Sequence, residues 1–183
     1  MTALTAETAT AGPVPGGTVP GGTGTVAPAE FREAMTRFAT CVTVITALAG
    51  DRPVGCTATA VFSLTDRPPT LVVSLASHSG TLRAVRAAGT FAVNVLSWQQ
   101  RDLADRFARL PAELRFDRVP HDTVHDAPLL EGTVTGVVCR VADCVPLDDH
   151  ILVSGRVLHA RVHDGVTPLV HFARRPSTPE LPA

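Results

Sequence analysis

The chain contains no lysine and no tyrosine; all sixteen basic side chains among its 183 residues are arginine. Schiff-base chemistry on a lysine is therefore excluded, as is a tyrosine acid. Charged residues make up 18% and aromatics only 4%, against a usual charged share of about 25%. A net charge of −1 and a pI near 6.6 leave no electrostatic footprint for DNA or RNA. No apolar run approaches the ~18 residues of a membrane span, and no basic segment followed by an apolar one marks a signal peptide. Neither a nucleic acid nor a membrane is expected as a partner, and a reducing cytoplasm is the expected location. The four cysteines (Cys41, Cys56, Cys139, Cys144) show no C-x-x-C spacing and no zinc-type pairing with histidine. Cys41 and Cys56 sit in apolar runs, where a reduced thiol behaves as a small hydrophobe. Neither G-x-G-x-x-G nor G-x-x-x-x-G-K occurs, so a Rossmann domain and a P-loop are unsupported.

What is present is one domain's worth of apolar sequence. Residues 1–28 hold six Gly, four Pro, seven Thr and one charge, which predicts a flexible tail. A folded domain is expected over 29–176, followed by a short tail at 177–183. It opens with Phe31, Met35 and Phe38 at helical spacing. β runs follow at Cys41–Leu48, Val54–Ser63, Thr70–Leu75 and Thr90–Leu96. A long hairpin, Thr133–Val145 with His150–Val162, turns around Pro146–Asp149, and Leu169–Phe172 is a short last strand. Helices are expected at Thr81–Ala88 and Trp98–Leu110. Strands outnumber helices and do not alternate strictly with them, so the expected fold is mainly β: an antiparallel barrel or sandwich with peripheral helices.

Three stretches could carry chemistry. In Val54–Ser63, strand alternation puts Thr57, Thr59 and Ser63 on one face and Cys56, Ala58, Ala60 and Phe62, the neighbour of Val61, on the other. Small residues with hydroxyls and free N–H groups suit a flat polar ring, but a Thr-decorated strand with one solvated face reads the same. In Ala76-Ser77-His78-Ser79-Gly80-Thr81-Leu82-Arg83, a strand end runs into a helix start. Its hydroxyls, N–H groups and Arg83 form a ready anion site, while Ser79 or Thr81 could equally be an ordinary N-cap. At Asp148-Asp149-His150, the histidine could contact a second ligand or assist proton transfer, or could simply be an exposed turn residue. His121, Asp122, His125 and Asp126 suggest a metal cluster at first sight. Pro120 and Pro128 bracket them, so a helix presenting i and i+4 ligands is not expected, and no third ligand is placed.

Taken together, these stretches resemble the flavin reductase component of two-component flavin-dependent monooxygenases. The resemblance runs from about Phe31 to Arg175. It rests on Val42–Thr46, on Gly55–Ser63 through Pro68-Pro69, on Phe91-Ala92-Val93-Asn94-Val95-Leu96 with Gln100 and Arg106-Phe107, and on Asp149-His150, Gly155 and Pro168-Leu169. It implies a split β-barrel that forms a homodimer, and hydride transfer from NADH or NADPH to FAD or FMN. The reduced flavin would pass to a separate monooxygenase. By the same resemblance Thr57–Ser63 would hold the flavin ring and Ala76–Arg83 its phosphates. His150 would meet the nicotinamide, and Phe172, Arg174 and Arg175 would contribute nearby. The chain departs from the family pattern at Thr59-Ala60-Val61 (commonly Ser-Ser-Phe), at Asp148 (commonly Gly) and at Phe172 and Pro176 (commonly Tyr). A flavin-dependent oxidase, or a non-catalytic flavin carrier or sensor on the same barrel, are the alternatives.

Overall fold

A computed structural model describes residues 24–179; the expected tail over 1–28 therefore lies mostly outside the described residues, as does the end of the 177–183 segment. A first helix, α1 (Pro28–Met35), leads into the fold. A short strand, β1 (Thr40–Cys41), precedes β2 (Thr43–Ala49), β3 (Arg52–Ala58), β4 (Val61–Asp66) and β5 (Pro69–Ala76). Next come helix α2 (Gly80–Ala88), β6 (Thr90–Val95) and helix α3 (Arg101–Arg109), the last entered through a single 3-10 turn at Trp98–Gln100. The chain continues through β7 (His121–Val124), β8 (Ala127–Leu130), β9 (Thr135–Leu147) and β10 (His150–Val162), and ends in β11 (Val170–Phe172) and β12 (Arg175–Ser177).

Seven strands form one antiparallel sheet in the order β3-β2-β6-β9-β10-β5-β4. Its two edge strands are consecutive in sequence and joined by Thr59-Ala60 alone. A flat seven-stranded sheet would hold its edges roughly 29 Å apart at ~4.8 Å per strand. The link from Ala58 to Val61 spans at most roughly 10 Å. The sheet must therefore curl, and β3 comes round to face β4 and β5 without laddering onto β4. This is a barrel split along one seam, as expected for the fold.

The seam corrects the sequence reading of Val54–Ser63 as one strand. Pairing alternation breaks at Thr59 and Ala60: the Val61 N–H turns back onto the Thr59 carbonyl at 3.1 Å, and the Ser74 N–H takes the Ala60 carbonyl at 2.9 Å. Two small residues that contribute little packing let the chain leave one edge and join the other. The expected two-face alternation thus holds only as far as Ala58. The run Cys41–Leu48 is likewise two strands, with β1 pairing β11 rather than the barrel. Cys41 is exposed as a result, not a buried small hydrophobe.

The main core lies between the sheet and α2, with Ile45, Val73, Leu82, Val85, Phe91 and Val153 at its centre. Gly155 is required there: a Cβ at this position would sit 2.6 Å from the Phe91 ring and 2.7 Å from Cys139 Cβ. The hairpin β7–β8 occupies the stretch where a metal cluster had looked thinkable. Its turn residues His125 and Asp126 have φ of 46° and 60°, as a two-residue hairpin turn of mirror-image type demands. His121 Nδ1 contacts the Val119 carbonyl at 2.8 Å, while Asp122 accepts from Arg161 at 3.0 Å.

A buried polar junction ties this hairpin to the barrel. Asn94 donates to the Val44 carbonyl at 3.1 Å and to Thr46 Oγ1 at 3.0 Å, and its Oδ1 accepts from the Leu130 N–H at 2.8 Å. The Thr46 hydroxyl donates to the Pro128 carbonyl. The Phe91–Leu96 signature is thus a framing element.

Candidate active site

One cavity of about 570 Å³ gathers the stretches that the sequence had singled out separately. Its walls are Cys56–Ala60 from the end of β3 and the seam, Ser74–Ala76 from β5, His78–Gly80 at the start of α2, and His150 at the start of β10. Phe107, Ala108 and Arg115 close the remaining side. The β10–β5 register, which sets His150 opposite Ala76, explains the meeting of segments more than seventy residues apart. The Ser77 N–H also donates to the Asp149 carbonyl at 2.9 Å, tying the loop before α2 to the hairpin turn.

The α2 entrance is poised for an anion. Ser79 is the N-cap residue with extended backbone, yet its side chain makes no capping hydrogen bond, and no acidic residue lies in the first turn. The leading N–H groups of α2 therefore keep their donor capacity, and the positive end of the helix faces the cavity. Arg115 reaches the same place. Its Nε donates to the Leu110 carbonyl at 2.8 Å and its Nη1 to the Gly55 carbonyl at 2.7 Å. Arg106 fixes that loop from behind, donating to the carbonyls of Leu114, Arg115 and Asp117 at 2.7–2.9 Å. The Cys56 thiol is pushed up by burial, an effect opposed by hydrogen bonding with Thr81, by the Arg115 guanidinium and by Ser79. It remains a neutral wall group at neutral pH. At the far lip, His150 Nδ1 lies 2.7 Å from an Asp149 carboxylate oxygen. That hydrogen bond and the imidazole's charge hold the exposed Asp149 carboxyl below its usual range.

The structure sorts the expected site residues. Thr57, Ala58, Thr59, Ala60, Ala76, His78, Ser79 and His150 line this cavity together. The Thr57 hydroxyl, however, donates to the Ala104 carbonyl at 2.6 Å, so α3 takes the proton that a ring would have received. Val61, Phe62 and Ser63 fall on the other side of the seam, where they line a different, largely apolar cavity of about 660 Å³. Thr81 and Arg83 line an adjoining cavity of about 650 Å³. The Leu82 side chain is buried in the core, which leaves only its backbone N–H for a ligand. Arg174 lines a further cavity with Arg32, Phe38, His171, Thr59 and Ala60, and is ion-paired to Glu33 at 2.7 Å. Phe172 and Arg175 lie on β11 and β12 and line none of these four cavities. Sequence reasoning missed Arg115. It sits in an irregular stretch after Pro111, and only the loop's folded path brings it to the α2 entrance.

Small residues along one wall, free amides at a helix start and a fixed guanidinium suit a planar ring carrying a phosphate-bearing tail. Residues 35–179 match the family model described as "Flavin reductase like domain". A Stutzerimonas stutzeri protein named FMN reductase (NADH) RutF is 36% identical over 147 residues, which cover 79% of this chain and 84% of that protein. The reductase component of a 4-nitrophenol monooxygenase from Rhodococcus opacus is 35% identical over 147 residues, 80% of this chain and 78% of that one. A longer Rhizobium meliloti protein named probable flavin reductase is 39% identical over 132 residues; these cover 71% of this chain, which spans only 42% of that protein's length. Among solved structures, the Streptomyces globisporus NADH:FAD oxidoreductase SgcE6 in complex with NAD and FAD fragments superposes with a TM-score of 0.77. It is 27% identical over 85% of this chain and 96% of its own. By sequence and by fold, the chain belongs to the flavin reductase like domain family.

Proposed function

We propose that the protein is an NAD(P)H:flavin oxidoreductase that reduces free FAD or FMN and hands the reduced flavin to a separate monooxygenase. The observation that carries this reading is the single cavity in which the seam residues Thr57–Ala60, the α2 entrance and His150 meet. The nicotinamide and the flavin supply the hydride chemistry between them when both are bound. The chain's work is positioning. Thr59 and Ala60, exposed at the seam, offer a low wall and backbone groups against which a ring can lie. The N–H groups of Gly80, Thr81 and Leu82 face the phosphate end, and Arg115 balances its charge. His150 and the lip shared with the Arg174 cavity border the open side, where the second nucleotide enters. No side chain is placed as an obligatory acid or base; His150, held by Asp149, is the one that can carry a proton at the open side.

Two further parts of the reading follow from surface chemistry. Phe62 and Leu64 of β4 are 53% and 56% exposed beside the apolar 660 Å³ cavity, and α1 buries none of its residues. A second copy of the chain is the cover proposed for these faces. All four cysteines are free, and no helix among the described residues is long and apolar enough to cross a membrane. The free thiols support a reducing, cytoplasmic location.

The decisive experiment incubates the protein in air with each flavin and each reduced nicotinamide nucleotide and follows nicotinamide absorbance. Turnover that requires added flavin supports the reading, whereas flavin held stoichiometrically without turnover overturns it in favour of a carrier. Light scattering at micromolar concentration tests the second copy, and a monomer there defeats that part.

A further inference from the structure

Two like charges face each other across the large sheet. Arg140 of β9 and Arg156 of β10 are directly opposite in the ladder, so both side chains stand on one face. Thr90 continues the row on β6 and Thr70 on β5. Both arginines are exposed, while their neighbours Cys139 and Gly155 are buried. Cys139 points with Phe91 into the core that α2 covers, so the arginine row lies on the outer face of the barrel, away from the flavin cavity. Like charges set directly opposite in a sheet destabilise it. A pair serving stability alone would put a carboxylate at one of these positions.

No carboxylate compensates them. Among the described residues neither guanidinium lies within salt-bridge distance of an acid. The acids of the surrounding elements are engaged elsewhere. Asp143, further along β9, accepts from the Cys144 N–H at 2.7 Å. Asp66, at the β4–β5 turn, faces Arg67 at 3.7 Å, and Asp122 of β7 faces Arg161 at 3.0 Å. Asp126, in the β7–β8 turn, accepts through its backbone carbonyl from the Thr90 hydroxyl at 3.2 Å, and its carboxylate makes no ion pair. That bond stands the turn beside the row. His125 of the same turn lies near His159 of β10, with ring centroids 6.4 Å apart. His159 is opposite Val138, two residues from Arg140, and its Nε2 is buried without a hydrogen-bond partner. Uncompensated guanidiniums and an orphaned imidazole nitrogen are both relieved by one kind of occupant, an anion rich in acceptors.

We propose that the outer face of β9 and β10 binds a tetrahedral oxyanion of the phosphate class, gripped between Arg140 and Arg156. Each guanidinium presents a planar fork of donors that matches a pair of phosphate oxygens.

The test titrates inorganic phosphate into full-length protein by calorimetry, at an ionic strength held constant with chloride. Whatever the α2 entrance takes up, Arg140→Gln/Arg156→Gln should bind one phosphate fewer than wild type. Arg156→Gln alone should weaken that site by at least about tenfold, and serves if the double variant fails to fold. In chloride alone the double variant should melt no lower than wild type, because a repulsion has been removed. Glycerol 2-phosphate in place of phosphate separates a free ion from a phosphate monoester, and uptake of either sustains the site. Equal phosphate stoichiometry in wild type and the glutamine variants overturns it. So does binding of polyglutamate without any uptake of phosphate, which would make the pair a docking patch for an acidic protein. No flavin or nicotinamide enters the titration, so its outcome is independent of the reductase reading.

Discussion

Asn94 and Ser79 are polar side chains at two junctions of the barrel, and they are used in opposite ways. Asn94 is fully buried, and both ends of its amide are engaged with Val44, Thr46 and Leu130. Ser79 stands at a helix start, where a serine ordinarily bonds to the backbone, and its side chain makes no such bond. Burying an amide requires that its hydrogen bonds be met, so the Asn94 junction is closed and rigid. A polar group at a cavity wall with capacity to spare is available to a ligand. The two regions show that one polar residue can define a fold's frame while another, an unremarkable serine, borders a cavity with its hydroxyl free of the helix cap.

The sharpest way to break this contrast is Asn94→Leu. Removing the amide leaves the Leu130 N–H buried without an acceptor, at roughly 1–3 kcal/mol, and takes away the donor to Thr46 Oγ1. A loss of about 3 kcal/mol should lower Tm by roughly 10 °C for a domain of this size. Thermal denaturation checks it; a change of a degree or two would mean that the junction relaxes or admits water.

Ser79 should respond in binding and not in stability. Ser79→Asp should weaken flavin binding by roughly tenfold, because its charge faces the phosphate at the same amides. Ser79→Ala should move Tm little, since the usual cap contribution of ~1 kcal/mol is not being made here. Equal flavin affinity in the Asp and Ala variants would remove the phosphate from α2.

His150→Ala should raise the nicotinamide KM or lower turnover by roughly two- to tenfold, the loss of one hydrogen bond of about 0.5–1.5 kcal/mol. The flavin Kd should stay near wild type. Loss of flavin affinity with unchanged nicotinamide kinetics would make His150 part of the flavin wall.

The smallest effect belongs to Asp149. Its carboxyl is held below the usual range in the folded chain by the His150 hydrogen bond. Any stability it adds is therefore present above the unfolded carboxylate value of about 3.9 and is lost as pH falls through the lower folded value. Full exposure keeps this contribution slight. Acid unfolding of Asp149→Asn, followed by circular dichroism, should show a marginally shallower acid limb than wild type.

Much of this was legible in the chain. The long hairpin β9–β10, helix α2 and the three chemistry-bearing stretches follow from β-branched runs, turn residues and a helix start after a strand. What was not legible is whatever depends on how distant segments meet. Thr59-Ala60 reads as two more residues of a strand, because nothing local says that pairing changes edge there. Hairpin β7–β8 hides behind its histidines and prolines, and its place is fixed by Asn94, far away in sequence. Arg115 gains its role only through the carbonyls that Arg106 gathers. The Thr57 hydroxyl, counted as free on a strand, turned out to be spoken for by α3.

The two-residue seam has one more consequence, for how the chain could be rebuilt. Because the barrel's edges are held together by a covalent strap and not by a ladder of hydrogen bonds, the strap's length is a built-in gauge of the cleft's width. Inserting a few glycines between Thr59 and Ala60 would lengthen the gauge without unpairing a single strand. Opening the chain there would turn a clasped cylinder into a curved ribbon.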